Sequence, residues 1–315
     1  MIPSVTDAVD NNKVTTGYLE QIDDAVTFIR AKLKDFNTTA STTADTAGYQ
    51  NPSFAIICGS GLGDLGRRLE NSVEINYSQI PSFPVSTVSG HHGKLVFGLL
   101  KGVVTVCMVG RFHFYEGYDL KQVTFPVRVL SRLGVKTLLV TNAAGGVDKS
   151  FEIGDVMAIE DHISFPNLSG INALRGPNLD EFGSRFTSLT RIYQKNTFEM
   201  LKEAAEMAGY DSKFIKRGIY CSVGGPSYET PAEIRLMRLV GGSAVGMSTV
   251  PEVTVAAHCG IERILAFSLI TNRCISHPED DIVAPTHAEV LESSKMRVEQ
   301  LEKIVENLVT ILYKN

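Results

Sequence analysis

Several classes of protein are excluded by what this sequence lacks. The N-terminus is polar and has no apolar stretch of the kind found in a signal peptide. No apolar segment approaches the ~18 residues that are needed to span a bilayer. The formal net charge is -5 and the pI is near 5.8, without a basic run or a cationic tail. We therefore expect a cytoplasmic protein that binds neither membranes nor nucleic acid.

Motifs for metal binding, for a P-loop and for a serine hydrolase are also missing. No two of the five cysteines have the spacing of metal ligands, so we expect reduced, buried thiols and no metal centre. No Gly-Lys-Ser/Thr follows the glycine-rich segment at residues 59–66, which excludes a P-loop. No G-x-S-x-G surrounds Ser60 or Ser248, which argues against a serine hydrolase. The cysteines are Cys58, Cys107, Cys221, Cys259 and Cys274.

Apolar residues make up 43% of the 315-residue chain, enough for a substantial core. Short apolar runs such as Phe54–Cys58 are typical of strands buried on both faces, and they alternate with helical periodicity. This alternation predicts a single α/β domain over residues 51–315. Residues 1–50 are expected to form an N-terminal extension, with one amphipathic helix from Tyr18 to Phe36 and an exposed linker from Thr38 to Tyr49. Two long helices are predicted further on, at Leu189–Ala208 and Thr286–Tyr313.

A glycine-rich turn follows the first strand and contains a G-x-G-x-x-G at Gly61, Gly63 and Gly66. A dinucleotide fingerprint would begin at the strand end and have an acidic residue at the end of the second strand. Here the glycines begin two residues late, and Glu74 falls inside the next apolar stretch. The turn suits a small anion such as phosphate, bound by backbone N–H groups at a helix start and by Ser60. The alternative is a tight turn without a ligand.

Side chains suited to an anion recur downstream. Arg111, His113 and Tyr115 alternate along an extended segment and would project from one side. A guanidinium, an imidazole and a phenol suit an anion attached to a sugar, although an ordinary salt-bridged loop would have the same composition. The adjacent His91 and His92 lie in a Pro/Gly-rich loop, where a surface position and an anion contact are equally compatible with the sequence.

Polar side chains also follow three later strands. Glu229 lies in a turn-rich apolar segment at a strand-to-helix crossing, where α/β sheets usually bind ligands. Ser248 lies at the start of a helix, where capping and ligand binding are compatible roles. Asn272 follows the strand Ile264–Ile270, and His287 is in the first turn of the last helix, which disfavours its protonation.

Five motifs, in this order, resemble those of the trimeric purine nucleoside phosphorylases. They are Gly59-Ser60-Gly61-Leu62-Gly63, Gly110-Arg111-Phe112-His113 with Tyr115-Glu116-Gly117, Thr141-Asn142-Ala143-Ala144-Gly145-Gly146, Gly225-Pro226-Ser227-Tyr228-Glu229-Thr230 and Val245-Gly246-Met247-Ser248-Thr249-Val250-Pro251-Glu252. The resemblance covers Phe54 to Tyr313. It implies a nucleoside phosphorylase fold, in which helices flank a central twisted mixed β-sheet, and a homotrimeric enzyme without a cofactor. Inorganic phosphate is the co-substrate that converts a purine nucleoside, reversibly, into base and (deoxy)ribose 1-phosphate.

The resemblance also implies a role for individual residues. Catalysis would depend on Asn272, Glu229 and His113. The phosphate contacts would be Ser60, His91, Arg111, His113, Ala143 (through its backbone N–H) and Ser248. The ribose contacts would be Tyr115, Met247 and His287, with Phe186 from the neighbouring subunit. The base contacts would be Tyr228, Glu229 and Asn272, with Tyr228 in place of the phenylalanine common in the family.

The base contacts predict the substrate. Glu229 would accept a hydrogen bond from N1–H, and the amide of Asn272 would form hydrogen bonds with N7 and O6. These contacts favour inosine and guanosine as substrates and disfavour adenosine. The alternative within the same group of enzymes is a 5′-methylthioadenosine phosphorylase, which would be expected to have an acid in place of Asn272. A nucleoside-binding module without activity and a hydrolytic nucleosidase are the alternatives of other classes.

Overall fold

The structure is a computed structural model that describes residues 11–39, 46–59, 62–85, 93–277, 292–293 and 297–313. In this part of the chain nine strands form one mixed sheet in the order β2-β3-β4-β1-β5-β8-β7-β6-β9. The predicted α/β class is confirmed. The strands are β1 Phe54–Cys58, β2 Glu70–Asn76, β3 Lys94–Leu100, β4 Val103–Val109, β5 Thr137–Gly146, β6 Val156–Ser164, β7 Ile215–Ser222, β8 Ala244–Gly246 and β9 Arg263–Arg273.

Helices and short 3-10 turns cover the sheet. Within the described residues none of the helices combines the length and apolarity of a membrane span. The α-helices are α1 Asn11–Thr39, α2 Leu120–Arg132, α3 Phe165–Leu168, α4 Thr197–Met207, α5 Pro231–Leu239, α6 Val250–His258 and α7 Val298–Tyr313. The 3-10 helices are Thr46–Gln50, Gly63–Arg68, Tyr77–Gln79, Phe114–Glu116 and Ser212–Phe214.

Five of the strands close into a ring, a feature that the sequence did not predict. Strand β5 pairs with both β8 and β9, β8 pairs with β7, β7 with β6, and β6 with β9. The remaining strands extend from β5 as an open sheet through β1 and β4. Because β4, β1, β5 and β9 run parallel, their carboxyl ends meet at one edge, where such sheets bind ligands.

Strands β5 and β9 are longer than predicted, and this places site residues on regular structure. Residues 141–146 were expected to follow the end of a strand, but β5 continues through Gly146. Likewise β9 continues to Arg273, so that Asn272 lies within it. The two strands pair in parallel from Thr137 and Arg263 to their ends, with a register shift after Ala144. Small side chains permit this close pairing, because a Cβ on Gly145 would collide with Cys274.

The N-terminal extension differs from its prediction at both ends of α1. The helix begins at Asn11, seven residues before the predicted start, and ends at Thr39. Ile22, Ala25, Ile29 and Leu33 are fully buried in the same apolar cluster as the sheet, because the helix lies against α2. The last residue of the expected exposed linker, Tyr49, is buried in this cluster as well.

The prediction of a long helix at 189–208 was wrong for its first half. Helix α4 begins only at Thr197, because Arg191 and Asn196 adopt left-handed backbone conformations with φ of 60° and 67°. Tyr193 turns into the core instead, where its hydroxyl lies 2.9 Å from Nδ1 of His162. A tertiary contact therefore overrides the local periodicity. The predicted last helix is observed from Val298 to Tyr313, and residues 286–291 lie outside the described residues.

The glycine-rich turn does not lead into the α-helix expected there. The segment Gly63–Arg68 is a single short 3-10 helix, so it does not present the dipole of a longer α-helix. The close approach predicted for the glycines is present at Gly59, where a Cβ would collide with the carbonyl group of Thr141. Its N–H donates to Oγ1 of Thr141 at 2.9 Å, which joins the end of β1 to the middle of β5.

Candidate active site

A cavity of about 410 Å³ opens at the carboxyl ends of the parallel strands. Nine of the predicted site residues line it together, although they come from five separate segments of the chain. They are Arg111, His113, Tyr115, Ala143, Tyr228, Glu229, Met247, Ser248 and Asn272. The structure therefore brings these five segments together around one cavity.

Four predicted site residues are not among those lining the cavity. Ser60, His91 and His287 lie outside the described residues. Phe186 lies on the surface of its own chain with 90% of its area exposed, and it does not line the cavity. An exposed position is what a contact to a neighbouring subunit requires, but a single chain does not test that role.

One end of the cavity is built around Arg111, whose side chain is almost fully buried. Its Nε and one terminal nitrogen donate to the two carboxylate oxygens of Glu252, at 3.1 and 2.7 Å. The other terminal nitrogen donates to the backbone carbonyl of Thr141 at 2.7 Å. Both members of the pair are about 2–3% exposed, so this bidentate contact compensates two charges that would be costly to bury alone.

Glu252 was quoted in a sequence motif without a role, and the structure gives it two. Besides holding Arg111, it accepts a hydrogen bond from the backbone N–H of Thr249 at 2.9 Å. Thr249 has a φ of 74°, an unfavourable conformation for a β-branched residue, and this contact helps to stabilise it. The same turn presents Ser248 to the cavity. A threonine followed three residues later by glutamate is the capping-box pattern, which was the available sequence signal.

His113 is oriented by a second carboxylate, that of Glu116, which the sequence prediction also missed. One oxygen of Glu116 lies 2.9 Å from Nδ1 of His113 and accepts the His113 backbone N–H at 2.8 Å. The imidazole stacks on the ring of Tyr115, with centroids 4.7 Å apart and an interplanar angle of 17°. These contacts fix the tautomer, because Nδ1 must carry a proton to donate to Glu116.

The opposite end of the cavity contains a carboxylate and an amide. Burial raises the pKa of Glu229 above its usual value, since the carboxylate loses water, while a hydrogen bond from its own backbone N–H opposes the rise. Asn272 is half-buried, and its Oδ1 lies 3.3 Å from the hydroxyl of Thr271. Tyr228 stands beside them with 42% of its area exposed. This end can offer an acceptor and an amide to the edge of a planar ring.

Two thiols lie behind the carboxylate. Burial, and then the charge of Glu229, raise the pKa of Cys274 to about 12 and that of Cys221 to about 11. Both are therefore neutral thiols at physiological pH. All five cysteines are free, and four of them are buried, as the sequence predicted. In the described part of the chain no three His, Cys, Asp or Glu side chains group as metal ligands would.

Comparisons with known proteins agree with this geometry. A family model described as the phosphorylase superfamily matches residues 53–310. The purine nucleoside phosphorylase of Bos taurus is 50% identical over 260 residues, which cover 82% of this chain and 89% of that protein. Purine nucleoside phosphorylase 1 of Bacillus subtilis is 48% identical over 261 residues, with 82% and 92% coverage.

Solved structures agree as well. The crystal structure of Schistosoma purine nucleoside phosphorylase in complex with hypoxanthine superposes with a TM-score of 0.81 at 39% identity, covering 92% of this chain and 96% of that one. The Schistosoma mansoni enzyme in complex with inosine superposes with a TM-score of 0.83 at 38% identity, with 94% and 98% coverage.

The family match extends over most of the chain. The chain therefore belongs to the phosphorylase superfamily. Within that superfamily it belongs to the purine nucleoside phosphorylases, which are pentosyltransferases, and the resemblance found in the sequence is confirmed.

We expect Glu252→Gln to lower the free energy of unfolding by about 3 kcal/mol, because it leaves Arg111 as an uncompensated buried cation. Urea denaturation measures this change. Glu262→Gln is the matched control, since Glu262 pairs with Lys136 at 3.3 Å on the surface, where a salt bridge is worth less than about 1 kcal/mol. Equal losses in the two variants would contradict a structural role for the buried pair.

Proposed function

We propose that this protein catalyses the reversible phosphorolysis of 6-oxopurine ribonucleosides and 2′-deoxyribonucleosides. The observation that supports this most directly is the composition of the cavity, where anion-binding groups and base-binding groups occupy opposite ends. The reaction breaks the bond between C1′ of the sugar and N9 of the purine. A phosphate oxygen forms the new bond to C1′, the base leaves with the electron pair, and a proton reaches N7.

Inorganic phosphate, as co-substrate, binds at the end that contains Arg111. Arg111 supplies charged N–H donors, Ser248 and the backbone N–H of Ala143 supply neutral ones, and His113 contacts the phosphate through Nε2. Ser60 and His91 complete the site in this proposal. Because Glu252 and Glu116 already hold the side chains of Arg111 and His113 in place, little reorganisation is needed when phosphate binds. Tyr115, Met247 and His287 bind the ribose above it.

Glu229 and Asn272 bind the edge of the base and stabilise its departure. Glu229 accepts a hydrogen bond from N1–H, and Asn272 accepts from protonated N7 and donates to O6. Negative charge develops on the base as the bond to C1′ breaks, so the contacts of Asn272 to O6 and to protonated N7 become stronger in the transition state than in the bound substrate, while Glu229 holds the base in position through N1–H. Tyr228 packs against the ring. His113, next to the phosphate, is the third catalytic residue of the proposal.

Complexes of related proteins support a purine nucleoside or its base as the ligand. Schistosoma purine nucleoside phosphorylase was solved in complex with hypoxanthine and with guanosine, and the S. mansoni protein with inosine and with adenosine. A 5′-methylthioadenosine phosphorylase remains the alternative from the sequence, and the amide at Asn272 argues against it. Five free cysteines, most of them buried, support a reducing compartment such as the cytoplasm.

The proposal predicts that inosine is cleaved only when phosphate is present. Purified enzyme incubated with inosine should release hypoxanthine and ribose 1-phosphate in phosphate buffer, and essentially none in a phosphate-free buffer of equal ionic strength. Guanosine should behave alike, whereas adenosine and 5′-methylthioadenosine should be poor substrates. Equal release of hypoxanthine with and without phosphate would identify a hydrolase, and preferential cleavage of methylthioadenosine would identify the alternative enzyme.

Asn272→Asp is predicted to raise the ratio of kcat/KM for adenosine to that for inosine by roughly tenfold or more. A carboxyl group can accept from the 6-amino group of adenine, whereas it repels O6 of hypoxanthine. Steady-state kinetics with both nucleosides measure the ratio. Asn71→Asp, on the exposed strand β2, is the matched control and should leave the ratio unchanged. If Asn272→Asp also leaves it unchanged, Asn272 does not contact the base.

We further propose that the enzyme is a homotrimer in which Phe186 of one subunit closes the ribose site of the next. Phe186→Ala should lower kcat/KM for inosine by roughly tenfold or more, through the loss of a buried aromatic contact. Leu239→Ala is the control, because Leu239 is similarly exposed at 84% and does not line the cavity.

A mixing experiment tests whether Phe186 acts across the subunit boundary. Trimers reassembled from Phe186→Ala chains and Asn272→Ala chains would contain some sites with both native residues, one from each chain. Activity above the sum of the two separate variants is therefore expected. No gain on mixing, with trimers shown by sedimentation, would contradict action from the neighbouring subunit.

A further inference from the structure

A second, much smaller cavity lies away from the active site, beneath the N-terminal helix. It is enclosed by α1, α2, the loop 172–179 and α6, and it shares no lining residue with the first cavity. Its volume is about 20 Å³, which is room for one occupant of about the size of a water molecule. Its lining includes Tyr18, Lys121, Thr124, Arg128, Arg175, Asn178 and His258.

The floor of this cavity is the guanidinium of Arg128, which is only 4% exposed. One terminal nitrogen donates to Nδ1 of His258 at 3.3 Å and, more weakly, to Sγ of Cys259 at 3.7 Å. The guanidinium also lies over the ring of Phe182, 5.0 Å from its centroid. All of these partners are neutral. Within the described residues no carboxylate lies within 4.0 Å of Arg128, which is unusual for a buried arginine.

His258 does not supply the missing negative charge. Its Nδ1 accepts from Arg128, so the proton is on Nε2, which donates to Oδ1 of Asn178 at 3.1 Å. Burial, and then the charge of Arg128, lower the pKa of His258, which keeps the ring neutral. The amide nitrogen of Asn178 donates in turn to Asp180 and to the carbonyl of Gly183. The nearest acid in this chain of bonds is therefore exposed and separated from Arg128 by two side chains.

The rim of the cavity adds positive charge. Lys121 and Arg175 line it, and the ammonium of Lys121 lies 6.0 Å from the centroid of the Tyr18 ring. The described lining thus contains three permanent cations and no aspartate or glutamate. Asp119, the acid nearest in sequence, accepts the N–H of Gln122 as the cap of α2. Positive side chains therefore outnumber negative ones in the described lining, which favours an anion.

We propose that this cavity binds one small inorganic anion of the size of chloride, with Arg128 as its buried contact and Lys121 and Arg175 at its rim. The volume favours a halide over a tetrahedral oxyanion such as phosphate. The anion compensates the buried guanidinium and bridges α1 to α2, since Tyr18 from α1 closes the cavity and donates to the carbonyl of Lys121 at 2.9 Å. Docking of the N-terminal helix then depends on the anion.

Crystals of the full-length protein soaked in sodium bromide test the position of the ion. An anomalous difference peak in hydrogen-bond range of the Arg128 guanidinium is the expected result. A carboxylate of residues 1–10 in the cavity, such as Asp7 or Asp10, or a water molecule without an anomalous signal, would overturn the proposal.

Measurements in solution distinguish a site that binds the anion under ordinary conditions from binding at crystal concentration only. The melting temperature is followed as sodium chloride replaces sodium gluconate at constant ionic strength. The wild-type protein should gain stability with a saturable chloride midpoint, and Arg128→Met should lose the chloride-dependent part whatever its basal stability.

A double variant at two rim residues, half-buried Lys121 and exposed Arg175, leaves the buried Arg128 intact. Lys121→Ala/Arg175→Ala should raise the chloride midpoint roughly tenfold, because two nearby charges are removed. Lys195→Ala/Lys202→Ala, which removes two cations elsewhere, should leave the midpoint unchanged. A chloride effect that is absent in the wild type, or identical in both double variants, would show that the cavity does not bind a halide in solution.

Discussion

The buried ion pair between Arg111 and Glu252 is the contact on which the active site depends. It joins the segment after β4 to the first turn of α6, and the third donor of Arg111 reaches the carbonyl of Thr141 on β5. Three elements that are distant in sequence are thereby fixed around one guanidinium. The carboxylate also reduces the net charge of the pair to zero. The anion end of the cavity therefore depends on oriented N–H and hydroxyl donors more than on unbalanced charge, which suits a substrate that must also leave.

The end of the cavity that contains Glu229 and Asn272 has different electrostatics. Its carboxylate has no cationic partner among the contacts described, and burial raises the pKa of Glu229. A carboxylate in such surroundings gains more from an N–H donor of a ligand than one that is already paired. Asn272 lies on β9 and Ala143 on β5, so the positions that face the two ends are set by one pair of hydrogen-bonded strands. The sheet, and not the loops, therefore sets the distance between the two ends of the cavity.

Much of this arrangement could be predicted from the sequence, because glycine-rich and polar segments followed apolar runs in the order of a known family. Prediction failed where distant contacts decide local structure. The periodicity at 189–196 resembles a helix, but Tyr193 reaches His162 in the core. Tyr49 looked like part of an exposed linker, yet the sheet and α1 leave a buried position for it. Glu116 and Glu252 were overlooked because their partners are recognised only when the cavity is assembled, although both stand three residues after the residue that they cap.

The ring formed by β5, β8, β7, β6 and β9 has a consequence for how copies of the protein can associate. Closing these strands on one another leaves β2 as the free edge of the described sheet. That strand carries Glu70 and Glu74 and has an irregular register against β3. Charges and irregularities of this kind discourage strand-to-strand aggregation. If copies of this protein associate, they are therefore expected to meet through loops and helices. The sheet of one copy is not expected to continue into the sheet of another.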